Sequence, residues 1–255
     1  LRKSNAVYID KTLLIHDLAR VPGCVFLSRP RRFGKSLLAS TFESLFKYGV
    51  RDFKALSIER LWTDKTYDVV RLDFSNIKQF TGIEDFAHQF RHLLSAKFSE
   101  VGFKSKGTAE DLAELGHWLA QLEALSLVLL IDELDAPLAA CLDKPELFEL
   151  ILLEMQKFFL SLKTNVGCLR FLFAAGITKF GFTNVFCDQH NDISLSPAYG
   201  ALLGFTEEEI RQNFGPFLTK AAEALAMSEN ELLARLHARY GGFCFDGSGA
   251  TRLYC

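Results

Sequence analysis

A chain of 255 residues, 49% of them hydrophobic, has the material for one large domain, or a domain with a small appendage, around a sizeable core. A formal net charge of −2 gives no general attraction to nucleic acid or to a membrane surface, and no apolar run reaches the roughly 18 residues of a membrane span. The six cysteines form no C-x-x-C pair and no zinc-like spacing with histidine, which excludes a zinc module and favours reduced thiols in a cytoplasmic protein.

In chain order, residues 7–20 read as a lead-in segment and a short helix, with Asp10 or Thr12 as its N-cap. Cys24-Val25-Phe26-Leu27 reads as a short buried strand, and residues 35–48 have helical apolar spacing. Between them lies Arg29-Pro30-Arg31-Arg32-Phe33-Gly34-Lys35-Ser36. A strand, a loop ending in Gly-Lys-Ser and a helix are the context of a phosphate-binding loop. Main-chain N–H groups at a helix N-terminus point at an anion, and the helix dipole favours negative charge there. Lys35 is expected to reach the β- and γ-phosphates, and the Ser36 hydroxyl to ligate Mg²⁺. The expected nucleotide contacts run through Arg29, Pro30, Arg31, Arg32, Phe33, Gly34, Lys35, Ser36 and Leu37. The usual motif opens with Gly where this chain has Arg29, so the loop must begin differently. The plain alternative is a chance Gly-Lys-Ser in a surface loop.

Residues 50–66 read as a loop with a short helix, 69–74 as a second core strand, and 83–101 and 109–124 as helices. Leu127-Val128-Leu129-Leu130-Ile131 reads as a buried parallel strand that ends in Asp132 and Glu133. Such a strand is expected beside the phosphate-loop strand, with Asp132 holding the Mg²⁺ shell and Glu133 polarising the attacking water. Residues 145–162 read as a helix opening on Pro145, and 169–175 as a third core strand beside the acidic one. At its tip, Thr178 is either a polar sensor of the lytic water or γ-phosphate, or a simple turn residue. Lys179 is open between a phosphate contact and a solvated charge. Residues 181–197 read as a loop near the site, and Ala201–Phe205 as a fifth strand. Thr206-Glu207-Glu208-Glu209 is a capping box that starts two or three helices over 207–240, stopped by Gly241-Gly242.

The fold expected from this alternation is α/β: a P-loop NTPase three-layer sandwich with a mostly parallel five-stranded sheet and a small C-terminal helical lid. The expected division is a core over 1–205 and a lid with a truncated end over 206–255. Arg239, and less so Arg235, are lid cations that either approach the γ-phosphate or complement the helix end. The 24 phenylalanines suggest an aromatic core. The chain starts without Met and stops abruptly at Cys255, the expectation being a fragment.

Several stretches together resemble the AAA-ATPase-like family of prokaryotic proteins. They are Tyr8-Ile9-Asp10-Lys11-Thr12, Leu27 to Ser36, Val70-Arg71-Leu72-Asp73-Phe74-Ser75, Ile131-Asp132-Glu133-Leu134-Asp135-Ala136-Pro137-Leu138 and Gly176-Ile177-Thr178-Lys179-Phe180. Asn191 to Leu195 and Gly204 to Glu209 continue the series in order. The resemblance implies that Arg in place of the first loop Gly is usual. It also implies a C-terminal PD-(D/E)XK nuclease-like domain in many members, and no strand here carries the nuclease spacing. An ATPase domain without the nuclease is therefore the expectation.

The leading reading is Mg-dependent ATP binding and hydrolysis, with ATP and Mg²⁺ as cofactors. Lys35, Glu133 and Thr178 are its catalytic candidates, and Ser36 and Asp132 its metal ligands. The alternative is an ATP-gated interaction module with slow or no turnover that regulates a nucleic-acid-processing partner, or a nuclease domain fused to it. Arg31 and Arg32 cover the phosphates, act in trans within a homo-oligomer, or face solvent. No membrane association and no direct nucleic-acid binding is indicated.

Overall fold

The computed structural model describes residues 7–107, 111–180 and 192–255. Four strands form one parallel sheet: β1 (Gly23–Ser28), β2 (Asp68–Asp73), β3 (Leu127–Asp132) and β4 (Leu169–Gly176), in the order β1-β4-β3-β2. The central pair is β3 and β4, whose residues are all buried, as near-continuous apolar runs require. This corrects one expectation: β4, not the acidic strand β3, lies beside the phosphate-loop strand β1. The eight-residue β4 is apolar on both faces apart from Arg170, so the centre of the sheet suits it best.

Side chains alternate across the sheet and build two cores. On one face, Phe26, Leu72, Leu129, Ile131 and Leu172 pack against α3 (Ile83–Ser99), α4 (Asp111–Leu119) and α6 (Pro145–Thr164). On the other, Leu27, Val128, Leu130, Phe171 and Phe173 pack against α1 (Thr12–Ala19) and α2 (Lys35–Tyr48). Between β3 and α6 lies the short helix α5 (Ala136–Ala139). The phenylalanines do form an aromatic core: Phe42 stands 5.1 Å from both Phe171 and Phe173, and Phe86, Phe90, Phe98, Phe158 and Phe159 are fully buried. Each contributes about 1.5–3 kcal/mol by leaving water. A register shift between β3 and β4 at Leu127/Val128 skips Arg170. Its guanidinium turns to Asp64 (2.7 Å) and the Ala19 carbonyl (2.8 Å), away from the carboxyl ends of the strands.

The sheet has four strands among the described residues, not five. Residues 201–205 form turns, because Gly204 has φ +80° and sits where a Cβ would stand 3.0 Å from both the Phe33 ring and the Tyr254 carbonyl. Phe205 instead makes a single antiparallel bridge with Tyr254. The outer edge of β1 is met at one parallel bridge, Phe26 with Asp192. Most of the loop expected at 181–197 lies outside the described residues.

Two helices follow, α7 (Glu207–Ala224) and α8 (Glu229–Tyr240). The Thr206/Glu209 capping box is present, and Ser228 with Glu231 makes a second. Ile210, Leu218, Leu232, Leu233 and Tyr254 close a third, separate core between them. Cys141, Cys168, Cys244 and Cys255 are free thiols, whereas Cys24 is disulfide-bonded, so the expectation of reduced cysteines throughout does not hold. Among the described residues no helix is long and apolar enough to cross a membrane.

Candidate functional site

The register brings the carboxyl ends of all four strands to one rim: Ser28 pairs with Gly176, and Asp73 with Asp132. Ligands of open α/β sheets bind at that edge. The loop from Arg29 to Gly34 leaves β1 there and turns into α2. Its left-handed residues are Arg32 (φ 69°) and Gly34 (φ 89°). Gly34 caps α2 without a side-chain hydrogen bond, so the first-turn N–H groups of this 14-residue helix are left to an outside acceptor.

Lys35 is 4% exposed, and its Nζ donates to the carbonyls of Arg29 (3.0 Å) and Pro30 (3.2 Å). Glu133 Oε1 lies 4.0 Å from the same nitrogen. Ser36 and Leu37 are exposed on the first turn, as are Arg31 and Arg32 in the loop. Phe33 is buried and anchors the loop, with ring centroids 4.8 Å from Phe243 and 5.2 Å from Phe245. Pro30 is half-buried beside it.

Arg29 takes a different course from the other basic residues of the loop. Its side chain is buried, with Nη1 donating to the carbonyls of Ser28 (2.8 Å) and Ser194 (2.7 Å) and Nη2 to that of Tyr199 (3.3 Å). The guanidinium also lies 4.1 Å from the centre of the Phe245 ring. Burial lowers its pKa to about 10, which leaves it charged at neutral pH. Its charge is therefore engaged by the protein itself.

At the end of β3, Asp132 is 2% exposed, and its Oδ1 accepts the Glu133 N–H at 3.1 Å. Glu133 has φ +51°, an uncommon conformation for a residue with a Cβ and one that recurs at functional sites. Arg71 of β2 reaches the same acid, Nη2 to Asp132 Oδ2 at 3.5 Å. The tip of β4 is fixed by Asp135, also 2% exposed, whose Oδ1 accepts the Ile177 N–H at 3.0 Å and Oδ2 the Thr178 N–H at 3.1 Å. Gly176 leaves room for that carboxylate: a Cβ there would stand 2.6 Å from Asp135 Oδ1. The Thr178 side chain is exposed at the rim, and Lys179 pairs with Asp192.

Beside the loop opens a cavity of about 300 Å³, lined by Tyr8, Ile9, Gly34, Leu37, Leu203 and Phe205 among others. Lys11 crosses its wall, donating to the Ala201 carbonyl at 2.7 Å and pairing with Glu209 Oε1 at 2.6 Å. The start of α7 thus flanks the loop, and Cys255 lines the same cavity. Arg235 and Arg239 are exposed on α8, and Arg239 lies over the Tyr240 ring.

Composition and spacing do not single out Asp135, Arg71 or the cavity wall. A D-E-x-D run after a buried strand is a readable sign for Asp135. The pairing of Lys11 with Glu209 spans most of the chain and leaves no local sign.

Residues 1–186 match the family described as Predicted AAA-ATPase (AAA-ATPase_like). An uncharacterized protein in vnfD 5'region of Azotobacter chroococcum mcd 1 is 30% identical over 217 residues, covering 83% of this chain and 42% of the relative. The chain therefore spans less than half of that relative's length. With the family matched over most of its residues, the chain belongs to the AAA-ATPase-like family.

Proposed function

From that membership and from the rim of the sheet, we propose that the protein binds ATP with Mg²⁺ and hydrolyses it. The observation that carries the reading is the meeting of Lys35 and Glu133, from distant parts of the sequence, 4.0 Å apart at the N-terminus of α2. In this reading the core is a P-loop NTPase over 1–205, and 206–255 is a lid. Lys35 leaves the Arg29 and Pro30 carbonyls and neutralises charge on the β- and γ-phosphates, while the free N–H groups of the first turn of α2 bind phosphate oxygens. The apolar cavity beside Gly34 and Leu37 takes the base. Arg31 and Arg32, exposed in the loop, stand available to the phosphates or to a neighbouring subunit.

The donor set fits Mg²⁺. Asp132 and the Ser36 hydroxyl are hard oxygen ligands, and Mg²⁺ is commonly held by one or two carboxylates together with substrate phosphates. Among the described residues no group of three or more His, Cys, Asp or Glu gathers into a metal cage, which suits an ion that arrives with its nucleotide. When bound, the ion supplies neutralisation of charge on the phosphates. Glu133 accepts the proton of the attacking water, ADP and phosphate leave, and Thr178 orients the water from the tip of β4.

The test compares Lys35→Ala and Glu133→Gln in nucleotide binding and phosphate release. Lys35→Ala should abolish ATP binding. Glu133→Gln should keep binding and lose turnover by about 10²–10⁴-fold, the range of general-base loss. A wild-type protein that binds ATP with no turnover, and a Glu133→Gln variant identical to it, would favour the ATP-gated module acting on a nucleic-acid-processing partner.

A further inference from the structure

Arg71 leaves β2 half-buried at the rim and touches three groups. Its Nη2 lies 3.5 Å from Asp132 Oδ2 and donates at 3.3 Å to the main-chain carbonyl of Ser36. Its Nη1 donates at 3.3 Å to Glu43 Oε2 on α2. One nitrogen thus stands against both residues to which the ATP reading assigns the metal. The other is held by a carboxylate outside that pair. Asp132 is 2% exposed, and a buried charge is expensive unless it is paired. Arg71 is the partner. It cannot lose its proton to make way for a second cation, because a guanidinium stays charged. It can only move. Its side chain is 28% exposed and Glu43 is 31% exposed, so a place to move to exists at the surface.

We propose that Arg71 is an exchangeable counter-cation of the metal site: it competes with Mg²⁺ for the Asp132 carboxylate and shifts wholly onto Glu43 when Mg-nucleotide binds. The inference rests on the assignment of this rim to Mg-ATP. Its consequence is a threshold. Nucleotide loading depends on enough free Mg²⁺ to displace the arginine, and Glu43 sets how readily the arginine leaves.

The experiment follows binding of a fluorescent ATP analogue against free Mg²⁺ in the wild type, Arg71→Gln, Glu43→Gln and the double variant. Arg71→Gln should lower the half-saturating Mg²⁺ about fivefold, the upper range of a partly exposed ion pair. Glu43→Gln should raise it, because Asp132 is then the one carboxylate left to the arginine among those it touches. The double variant should match Arg71→Gln, since Glu43 acts through the arginine. Additive shifts would reduce the effect to bulk charge and overturn the proposal. So would an Arg71→Gln variant that needs as much Mg²⁺ as the wild type. An unchanged Mg²⁺ midpoint with nucleotide affinity lowered at every Mg²⁺ concentration would make Arg71 a phosphate contact and overturn it too. Glu43→Gln, a change at a half-buried position of α2, reports even if Arg71→Gln fails to fold: no rise in its Mg²⁺ midpoint refutes the exchange. A wild type that binds no analogue at saturating Mg²⁺ refutes the ATP assignment instead. The exchange is then read from the thermal midpoint against Mg²⁺ alone, where Arg71→Gln must respond at lower Mg²⁺ than the wild type.

Discussion

Gly176→Ala tests whether the tip of β4 is held by Asp135. Gly176 is not among the left-handed residues, so its backbone accepts an alanine, and alanine alone should stabilise a strand position by roughly 0.5–1 kcal/mol. The obstacle is contact. The new Cβ would stand 2.6 Å from Asp135 Oδ1 and 3.3 Å from its Cγ. Asp135 is short and buried, so it has no flexible arm with which to yield. Its retreat breaks the bonds from the Ile177 and Thr178 N–H groups. Hydrogen bonds to a charged group contribute about 1.5–3 kcal/mol each, so losing both and gaining the alanine term leaves a net cost of roughly 2–5 kcal/mol. Urea denaturation followed by the fluorescence of Trp62 and Trp118 measures it. Asp135→Asn should cost a similar amount, and the double variant little more than either, because both remove one interaction. A Gly176→Ala cost below about 0.5 kcal/mol, or full additivity with Asp135→Asn, refutes the clamp.

Glu209→Ala removes both a capping-box acid and the partner of Lys11, and should cost about 1–3 kcal/mol in denaturation; a loss under about 0.5 kcal/mol counts against a stabilising role for the Lys11–Glu209 pair. Burial alone would raise the Asp10 pKa, but hydrogen bonds from Thr12 and Ser57 outweigh it and hold the carboxyl below its ordinary 3.8. Its stabilising contribution is therefore complete above the unfolded value and is lost as pH falls through the lower folded one, so Asp10→Asn should destabilise at pH 7 and lose that deficit as pH falls below 3.8; a deficit constant with pH refutes it. Arg29→Gly should unfold the protein more easily rather than restore an ordinary loop, since it vacates a buried guanidinium held by three carbonyls; an equally or more stable variant refutes that role.

The parallel strands and the helix after the loop were legible because their signals are local. Cys24 to Leu27, Leu127 to Ile131 and the spacing of 35–48 each state their own structure within a few residues. The capping box at Thr206 was legible for the same reason, since its two bonds join residues three apart. The failures are matters of placement. Nothing in the apolar content of 169–175 states that this strand separates the other two, because a strand buried on both faces looks the same at any central position. Ala201–Phe205 has strand-like apolarity, but Gly204 at φ +80° and its closeness to the Phe33 ring turn the chain. Arg71 reads locally as an alternating strand residue. Its contacts with Ser36 and Asp132 arise only when β2 pairs with β3 and α2 crosses above them.

The loop from Arg29 to Gly34 shows how such a turn can do without a glycine at its first position. Glycine is favoured where φ is positive, and here the positive φ values fall at Arg32 and Gly34, not at position 29. The backbone at Arg29 continues from β1, its N–H donating to the Gly176 carbonyl at 3.1 Å as a further rung beyond the strand pair. With the backbone free to carry a side chain, the arginine turns inward and ties the start of the loop to Ser194, Tyr199 and the Phe245 ring. Its own carbonyl then faces Lys35. Phe33 makes the second attachment, through Phe243 and Phe245. The loop is thus pinned at both ends to the segment after α8, while Arg31 and Arg32 between the pins remain exposed.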